Sequence, residues 1–407
     1  MSDSTERTSN ERAGSTSSRR RRRRRRRKPA SQRGPAIPVR GYLLRRDQGD
    51  GVLLDPERGF EVGGNAPRVP SELLSRWHLE SGLLIEGTAR GGSRPTVTEV
   101  ATIEGMEPQT YRDRAVPFAE LVSIDPTERF QLETEPEILE PRVTELIAPL
   151  GKGQRCLIVA PPKTGKTRLL QQMAHAIAVN HPDVVIFVLL VDERPEEVTD
   201  WRRSIARGEV FASSSDMSVK SHIQISELVI ERARRLVELG EDVVVFMDSL
   251  TRMSRAYNNA QKGSGRILSG GIDARTMEKP RRFFGSARNV EDGGSLTIVA
   301  TCLIDTGSRM DEVIFQEFKG TGNMEIVLDR KLFEKRIFPT INIPKSGTRK
   351  EEKLYPPELL EKLHLMRRAL SALSPEEAML LLLAKLKEFP TNERFLRSLN
   401  VREPSTR

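Results

Sequence analysis

Two cysteines in 407 residues, Cys156 and Cys302, are too few for a disulfide framework and suggest no zinc site. Each lies inside an apolar, strand-like run, RCLIVA and TIVATCLID, where a small buried thiol in a reducing cytoplasm is the expected reading. No apolar stretch approaches the roughly 18 to 20 residues that a membrane-spanning helix needs. The N-terminus carries arginines with no apolar stretch behind them, so it lacks the build of a secretory signal. There is no internal repeat. What remains is a polar, globular composition, 37% hydrophobic and 30% charged, long enough for two or three domains.

The formal charge of +9 is concentrated at one end. Residues 1–35 hold 13 Lys and Arg against 3 Asp and Glu, net +10, and the rest holds 53 against 54, net −1. The segment contains the unbroken run Arg19 to Arg27 followed by Lys28 and almost no large apolar residue. It cannot bury enough apolar area to offset its ordering entropy, so it is expected to be disordered. It is either a solvated tail or a phosphate-binding arm that acts through counterion release. Any nucleic-acid contact by the nearly neutral remainder has to come from local motifs.

From about residue 36 to 115, short β-prone stretches (GYLLRR, GVLLDP, LLIEGTA, PTVTEVATI) alternate with Gly, Pro, Asp and Asn around one helix-like piece, SELLSRWHL, the pattern of a small β-barrel. An acidic, proline-punctuated linker follows, about 116–141. Residues 142–407 then alternate apolar strands (RCLIVA, VVIFVLLV, VVVFMD, SLTIVATCLI) with amphipathic helices, as in a parallel sheet covered on both faces. Beyond Pro356 the pattern is helical, and Ser374-Pro375-Glu376-Glu377 predicts a capping box opening a helix that runs to about Glu388.

The run Ala160-Pro161-Pro162-Lys163-Thr164-Gly165-Lys166-Thr167 follows a strand and opens a helix, the place where backbone N–H groups and a helix N-terminus can face phosphate. Lys166 would reach the β- and γ-phosphates and Thr167 would offer its hydroxyl to Mg²⁺. The standard pattern starts with Gly where this chain has Ala160. Asp248 closes the run VVVFMD, the usual position of the acid that holds Mg²⁺. Glu193, after VVIFVLLVD, could polarise the attacking water.

The stretches LIVAPPKTGKT, VDERPEEVTD, MDSLTRMSRAYN, RRFFGSARN, IDTGSRMDEVIFQEFKGTGNMEI and KSGTRKEE resemble the Rho family of RNA-dependent ATPases, strongly over about 142–352 and loosely in the flanks. In that family the first P-loop glycine is commonly alanine. The resemblance implies an α/β, RecA-like motor working as a homohexameric ring, an N-terminal OB-like barrel, and ATP and Mg²⁺ as cofactors. It implies nucleotide binding by Pro162, Lys163, Thr164, Gly165, Lys166, Thr167, Arg168 and Arg194, with Lys166 and Thr167 on the phosphates. Asp248 joins Thr167 on Mg²⁺, Glu193 is the catalytic base, and Phe338 stacks on adenine. Arg349 is implied as an arginine finger supplied by the neighbouring subunit, and with Glu193 and Lys166 it completes the implied catalytic set.

Single-stranded RNA is the implied partner. The segment Gln261 to Gly271 resembles the family's central-pore Q-loop, which gives Lys262, Gly265, Arg266, Ile267 and Ser269 as RNA contacts. Thr306 to Asp311 resembles the R-loop, with Thr306 and the cation Arg309 facing the strand. The implied function is ATP-driven translocation along nascent RNA that dislodges the RNA polymerase elongation complex in the cytoplasm. One stretch departs from the family: its Gly-Phe-Gly-Phe in the barrel corresponds here to Gly51-Val52-Leu53-Leu54, without either aromatic. Tyr42, Phe60 and Trp77 are the remaining platforms, and each is equally readable as barrel core. A rotary ATP synthase catalytic subunit shares the motor and the barrel but needs no RNA loops, and a decayed ATPase would not keep the whole set of site residues.

Overall fold

The computed structural model describes residues 35–55, 60, 63–261 and 275–399. Residues 1–34 of the expected tail and the pore-loop residues Lys262, Gly265, Arg266, Ile267 and Ser269 lie outside them.

Five strands close into a barrel in the order β1-β2-β3-β5-β4: β1 (Ala36–Arg45), β2 (Gly51–Leu54), β3 (Arg68–Val69), β4 (Leu84–Arg90) and β5 (Thr96–Ile103). Helix α1 (Ser71–Trp77) follows β3, and α2 (Pro108–Arg114) follows β5. Alternation sets the inside: Leu43, Leu53, Val69, Ile85 and Val97 fill the barrel. The run GVLL is apolar without a break because β2 is covered on both faces. Val52 and Leu54 lie on the side away from the barrel interior, in one apolar cluster with Tyr42, Phe60 and Phe211 of the second domain.

That placement gives Tyr42 and Phe60 a use other than holding nucleobases. Their rings form a stack, Tyr42 to Phe60 at 5.8 Å and Phe60 to Phe211 at 5.0 Å, and Tyr42 is 5% exposed and Phe60 8%. The Tyr42 hydroxyl donates to Glu209 Oε2 at 2.8 Å, and Gln224 Nε2 donates to the Phe60 carbonyl at 2.7 Å. An Arg232–Glu104 ion pair closes the same junction.

The second domain is built on a sheet with the order β14-β13-β7-β12-β10-β8-β9. Its strands are β7 (Arg155–Ala160), β8 (Val185–Glu193), β9 (Glu209–Ser214), β10 (Asp242–Asp248), β12 (Ser295–Leu303), β13 (Met324–Val327) and β14 (Gly347–Thr348). From β13 to β9 every pairing is parallel, and β14 is antiparallel to β13. Two short strands, β6 (Ser123–Ile124) and β11 (Arg288–Val290), extend it from β12. Burial on both faces explains the solid apolar composition of the central strands.

The helices of this domain are α3 (Leu139–Ile147), α4 (Lys166–Asn180), α5 (Pro195–Ser204), α6 (Val219–Val237), α7 (Leu250–Ala260), α8 (Glu278–Gly285), α9 (Arg309–Lys319), α10 (Arg330–Glu334), α11 (Pro357–Ser371), α12 (Pro375–Lys387) and α13 (Asn392–Ser398). The capping box that opens α12 is formed, with Glu377 N–H donating to Ser374 Oγ at 3.3 Å and Ser374 N–H to Glu377 Oε2 at 3.1 Å.

Gly82 shows how closely the two domains meet. It has φ +91°, and a Cβ there would lie 2.4 Å from Arg232 N and 2.5 Å from Glu231 C in the backbone of α6. Neither atom can move without bending the helix. Gly82→Ala is expected to lower stability by at least about 2 kcal/mol, from overpacking plus left-handed strain, read as a fall in the thermal midpoint. An unchanged midpoint would mean that barrel and motor are not seated on each other at this residue.

Candidate nucleotide and RNA site

Parallel strands end on one edge of the sheet, and that edge gathers the candidate site. Ala160 is level with Leu303, and Asp248 with Leu190. The loop after β7 turns with Lys163 at φ 60° and Gly165 at φ 85°, and Gly165 caps α4. Thr164 is buried and its hydroxyl donates to the Pro161 carbonyl at 2.7 Å, while Pro162 and Lys163 are exposed. Thr340 Oγ1 donates to the Thr164 carbonyl at 2.7 Å, which brings the segment carrying Phe338 beside the loop. Phe338 is half-buried, edge-on to Phe333 with ring centroids 5.7 Å apart.

Four of the implied residues converge. Lys166 Nζ lies 2.5 Å from Asp248 Oδ2 and 3.6 Å from Glu193 Oε1, and Thr167 Oγ1 lies 3.3 Å from Asp248 Oδ2. Burial alone would lower the Lys166 pKa, but Asp248 and Glu193 outweigh it and hold the ammonium above the ordinary lysine range. Thr301 on β12 donates to Asp248 Oδ1 at 2.7 Å, which fixes the carboxylate and leaves Oδ2 toward Lys166 and Thr167. Neither carboxylate oxygen of Glu193 has a hydrogen-bond partner among the described residues, although its side chain is only 2% exposed. Burial, then the nearby Asp248, pushes its pKa up to about 7, against the pull of Lys166 and Arg252. A buried carboxylate with unused acceptors is suited to hold a water.

The helix after Asp248 reaches both this site and the next loop. Arg252 on α7 donates to the Asp192 carbonyl and stands 3.3 Å from Glu193 Oε1. One turn on, Arg255 Nε donates to Asp311 Oδ1 at 2.9 Å. Asp311, 1% exposed, also accepts from Thr306 Oγ1 at 2.5 Å. The loop after β12, with Asp305 at φ 53° and Gly307 at φ 77°, is thus tied at its base while Arg309 is exposed with no partner among the described residues. Neither arginine was singled out from the sequence, where MDSLTRMSRAYN shows only an amphipathic helix with spare cations.

Arg349 lies at the opposite end of the sheet. Its N–H donates to the Asn323 carbonyl at 2.9 Å, and Asn323 N–H donates to Arg155 at the start of β7. Ala160 is five residues farther along β7, roughly 16 Å at about 3.3 Å per residue, so Arg349 cannot serve the P-loop of its own chain. Arg168 also turns away, donating to Glu140 Oε1 at 2.7 Å, and Arg194 is exposed at the N-terminus of α5.

Residues 141–348 match the nucleotide-binding domain of the ATP synthase alpha/beta family. Over nearly the whole chain the relatives carry another name. A transcription termination factor Rho from Aquifex aeolicus is 49% identical over 368 residues, 89% of this chain and 84% of that protein. One from Chromobacterium violaceum is 47% identical, covering 91% and 90%. The chain belongs to the transcription termination factor Rho family. The motor it shares with rotary ATPases therefore sits in a Rho-type chain, barrel included. Two solved structures share the fold alone. An ATPase from the type III secretion system of pathogenic bacteria has a TM-score of 0.54 at 22% identity, covering 69% of this chain and 78% of that one. EscN from enteropathogenic E. coli has a TM-score of 0.56 at 20% identity, covering 68% and 71%.

Proposed function

We propose that this Rho-family chain is an RNA-stimulated ATPase that translocates along single-stranded RNA as a homohexameric ring and terminates transcription by acting on the RNA polymerase elongation complex. The observation that carries the reading is the single helix α7, which begins beside Asp248 and braces both Glu193 and the Arg309 loop. A motion at the phosphate end has a stiff element through which to reach the loop.

In this reading the P-loop amides and Lys166 bind the triphosphate, and Phe338 faces the base. Mg²⁺ would rest on Thr167 and Asp248 and neutralise charge on the phosphates. An ion held this way would take most of its ligands from phosphate and water. Glu193 would orient the attacking water and Arg349 would act on the nucleotide of the adjoining subunit. Arg309 and the loop 261–271 would hold the sugar-phosphate backbone, contacts that read shape more than base identity.

The test is steady-state ATP hydrolysis with and without single-stranded RNA. Stimulation by about tenfold or more is expected, with most of it lost in Arg309→Ala because the strand loses a phosphate contact at the moving loop. Vigorous hydrolysis indifferent to RNA would leave a nucleotide site and remove the translocase.

A further inference from the structure

Arg349 is carried by a segment with little structure of its own. Strand β14, just before it, has two residues, tied down by Thr348 Oγ1 donating to the Pro149 carbonyl at 2.7 Å. Just after it, Lys350 takes a left-handed backbone, φ 56° and ψ 36°, which a lysine adopts only at a cost. A short 3₁₀ helix, Glu351–Lys353, follows, and Glu351 accepts from Arg367 of α11 at 2.6 and 2.8 Å.

The hold on Lys350 itself comes from the linker. Lys350 Nζ donates to both oxygens of Asp125, at 3.0 and 2.9 Å, and Lys353 Nζ donates to Asp125 Oδ2 at 2.7 Å. One carboxylate thus takes both ammonium groups of the turn that leaves the arginine. The Lys353 bond, then the Lys350 bonds, hold its carboxyl below the usual carboxylate range. Burial lowers the Arg155 pKa, Arg349 adds to the effect, and Asp125 opposes both. Asp125 therefore offsets the repulsion among the cations gathered at this end of the sheet.

The backbone of Asp125 is a fixed point. The linker is pinned on α6, where Val116 N–H donates to the Glu238 carbonyl at 3.1 Å and Phe118 N–H to Glu238 Oε1 at 2.7 Å. It then pairs as β6 with β11, with Glu291 N–H donating to the Val122 carbonyl at 3.0 Å and Asn289 Nδ2 to the Asp125 carbonyl at 3.3 Å. Pro126 packs against Gly151, where a Cβ would lie 2.7 Å from Pro126 Cβ.

We propose that Asp125 is a positioning residue for Arg349: by holding Lys350 and Lys353 it sets the turn that follows the arginine and keeps the guanidinium placed for the nucleotide of the adjoining subunit. The inference rests on the reading of Arg349 as a finger. The paired side chains are 35% to 59% exposed, so the pairs add little to stability. Their effect is on geometry, where a displacement of about 1 Å can cost up to about 10²-fold in rate.

The test is a double-mutant cycle on the full chain, read as kcat and KM for hydrolysis of radiolabelled ATP at saturating single-stranded RNA. Asp125→Ala is expected to lower kcat about tenfold with KM within about threefold, and Asp125→Asn to do the same, because an amide does not hold two ammonium groups as a carboxylate does. Asp125→Glu should recover part of the loss. Thermal midpoints should stay within about 2 °C of the unmodified protein. On an Arg349→Ala background, Asp125→Ala should change kcat by less than about twofold, because the group it acts through is gone.

Asp125→Ala and Asp125→Asn within about twofold of the unmodified kcat would overturn the proposal. So would a loss that repeats in full on Arg349→Ala, since Asp125 would then act by another route. The Arg349→Ala single variant separates this from the finger itself. If that variant loses turnover and the Asp125 variants do not, the positioning role alone is wrong. If Arg349→Ala keeps turnover within about threefold, both readings fall together.

Discussion

Arg349→Ala is expected to lower RNA-stimulated ATP turnover by about 10³-fold or more, the scale of an arginine finger in phosphoryl transfer, while each subunit keeps its affinity for nucleotide. The split follows from placement. Arg349 is exposed at the start of the strands, beside Asn323 and Arg155, and the P-loop lies at their far end. Its guanidinium has no carboxylate partner among the described residues, and the nearby Arg155 repels it. Lys166 is the contrast: its ammonium touches Asp248 within one chain, so Lys166→Ala should weaken nucleotide binding itself. Titration with a fluorescent ATP analogue beside steady-state turnover separates the two. If Arg349→Ala weakens binding to isolated subunits as much as Lys166→Ala does, Arg349 acts within its own chain. If turnover stays within about threefold of the unmodified protein, it is no finger at all.

Lys166, Thr167, Asp248 and Glu193 were legible because chemistry and punctuation coincide. A carboxylate that ends a solid apolar strand has few structural reasons to be there, and Gly-Lys-Thr at a strand-to-helix turn has fewer. Asp248 and Glu193 both lie within 3.6 Å of the Lys166 ammonium. The residues that brace them and the Arg309 loop were not legible. Thr301 looks like any β-branched strand residue, and Arg252 and Arg255 like solvent-facing cations, because their partners lie 53, 60 and 56 residues away. Strand β9 was missed for a related reason: EVFASS has no solid apolar run, and what places it in the sheet is pairing with β8.

The barrel shows a different limit. Alternation predicts which side of a strand faces the barrel interior, but it says nothing about whether the other side is wet. Tyr42 and Phe60 read equally well as base platforms or as core, and the decision was made by Phe211, Glu209 and Gln224, on another domain. A loss of aromatics from Gly51 to Leu54 reads in sequence as a weakened site. In the fold it is an exchange, since that face carries the junction to the motor.

Arg142→Met is expected to cost about 3 to 5 kcal/mol of stability, the effect of breaking a buried ion pair on one side only. Arg142 is fully buried, 3.3 Å from Glu133, and donates to the carbonyls of Pro136, Leu386 and Phe389 and to Asn392 Oδ1. Asn392 returns two bonds, its N–H to Glu133 Oε2 at 2.5 Å and its amide to the Arg142 carbonyl at 3.0 Å. The cluster therefore joins the linker, α3 and the segment between α12 and α13. Burial pushes the two charges toward neutrality, lowering the Arg142 pKa and raising that of Glu133, against their mutual attraction and the Asn392 N–H bond to Glu133. With methionine in place, Glu133 would be left buried without its cation and the carbonyls that end α12 would lose their donor. Adding Glu133→Gln removes the orphaned charge, so Arg142→Met with Glu133→Gln should recover part of the loss in urea unfolding. A single variant within about 1 kcal/mol of the unmodified protein, or a double variant worse than the single, would mean the C-terminal helices are held by their apolar contacts alone.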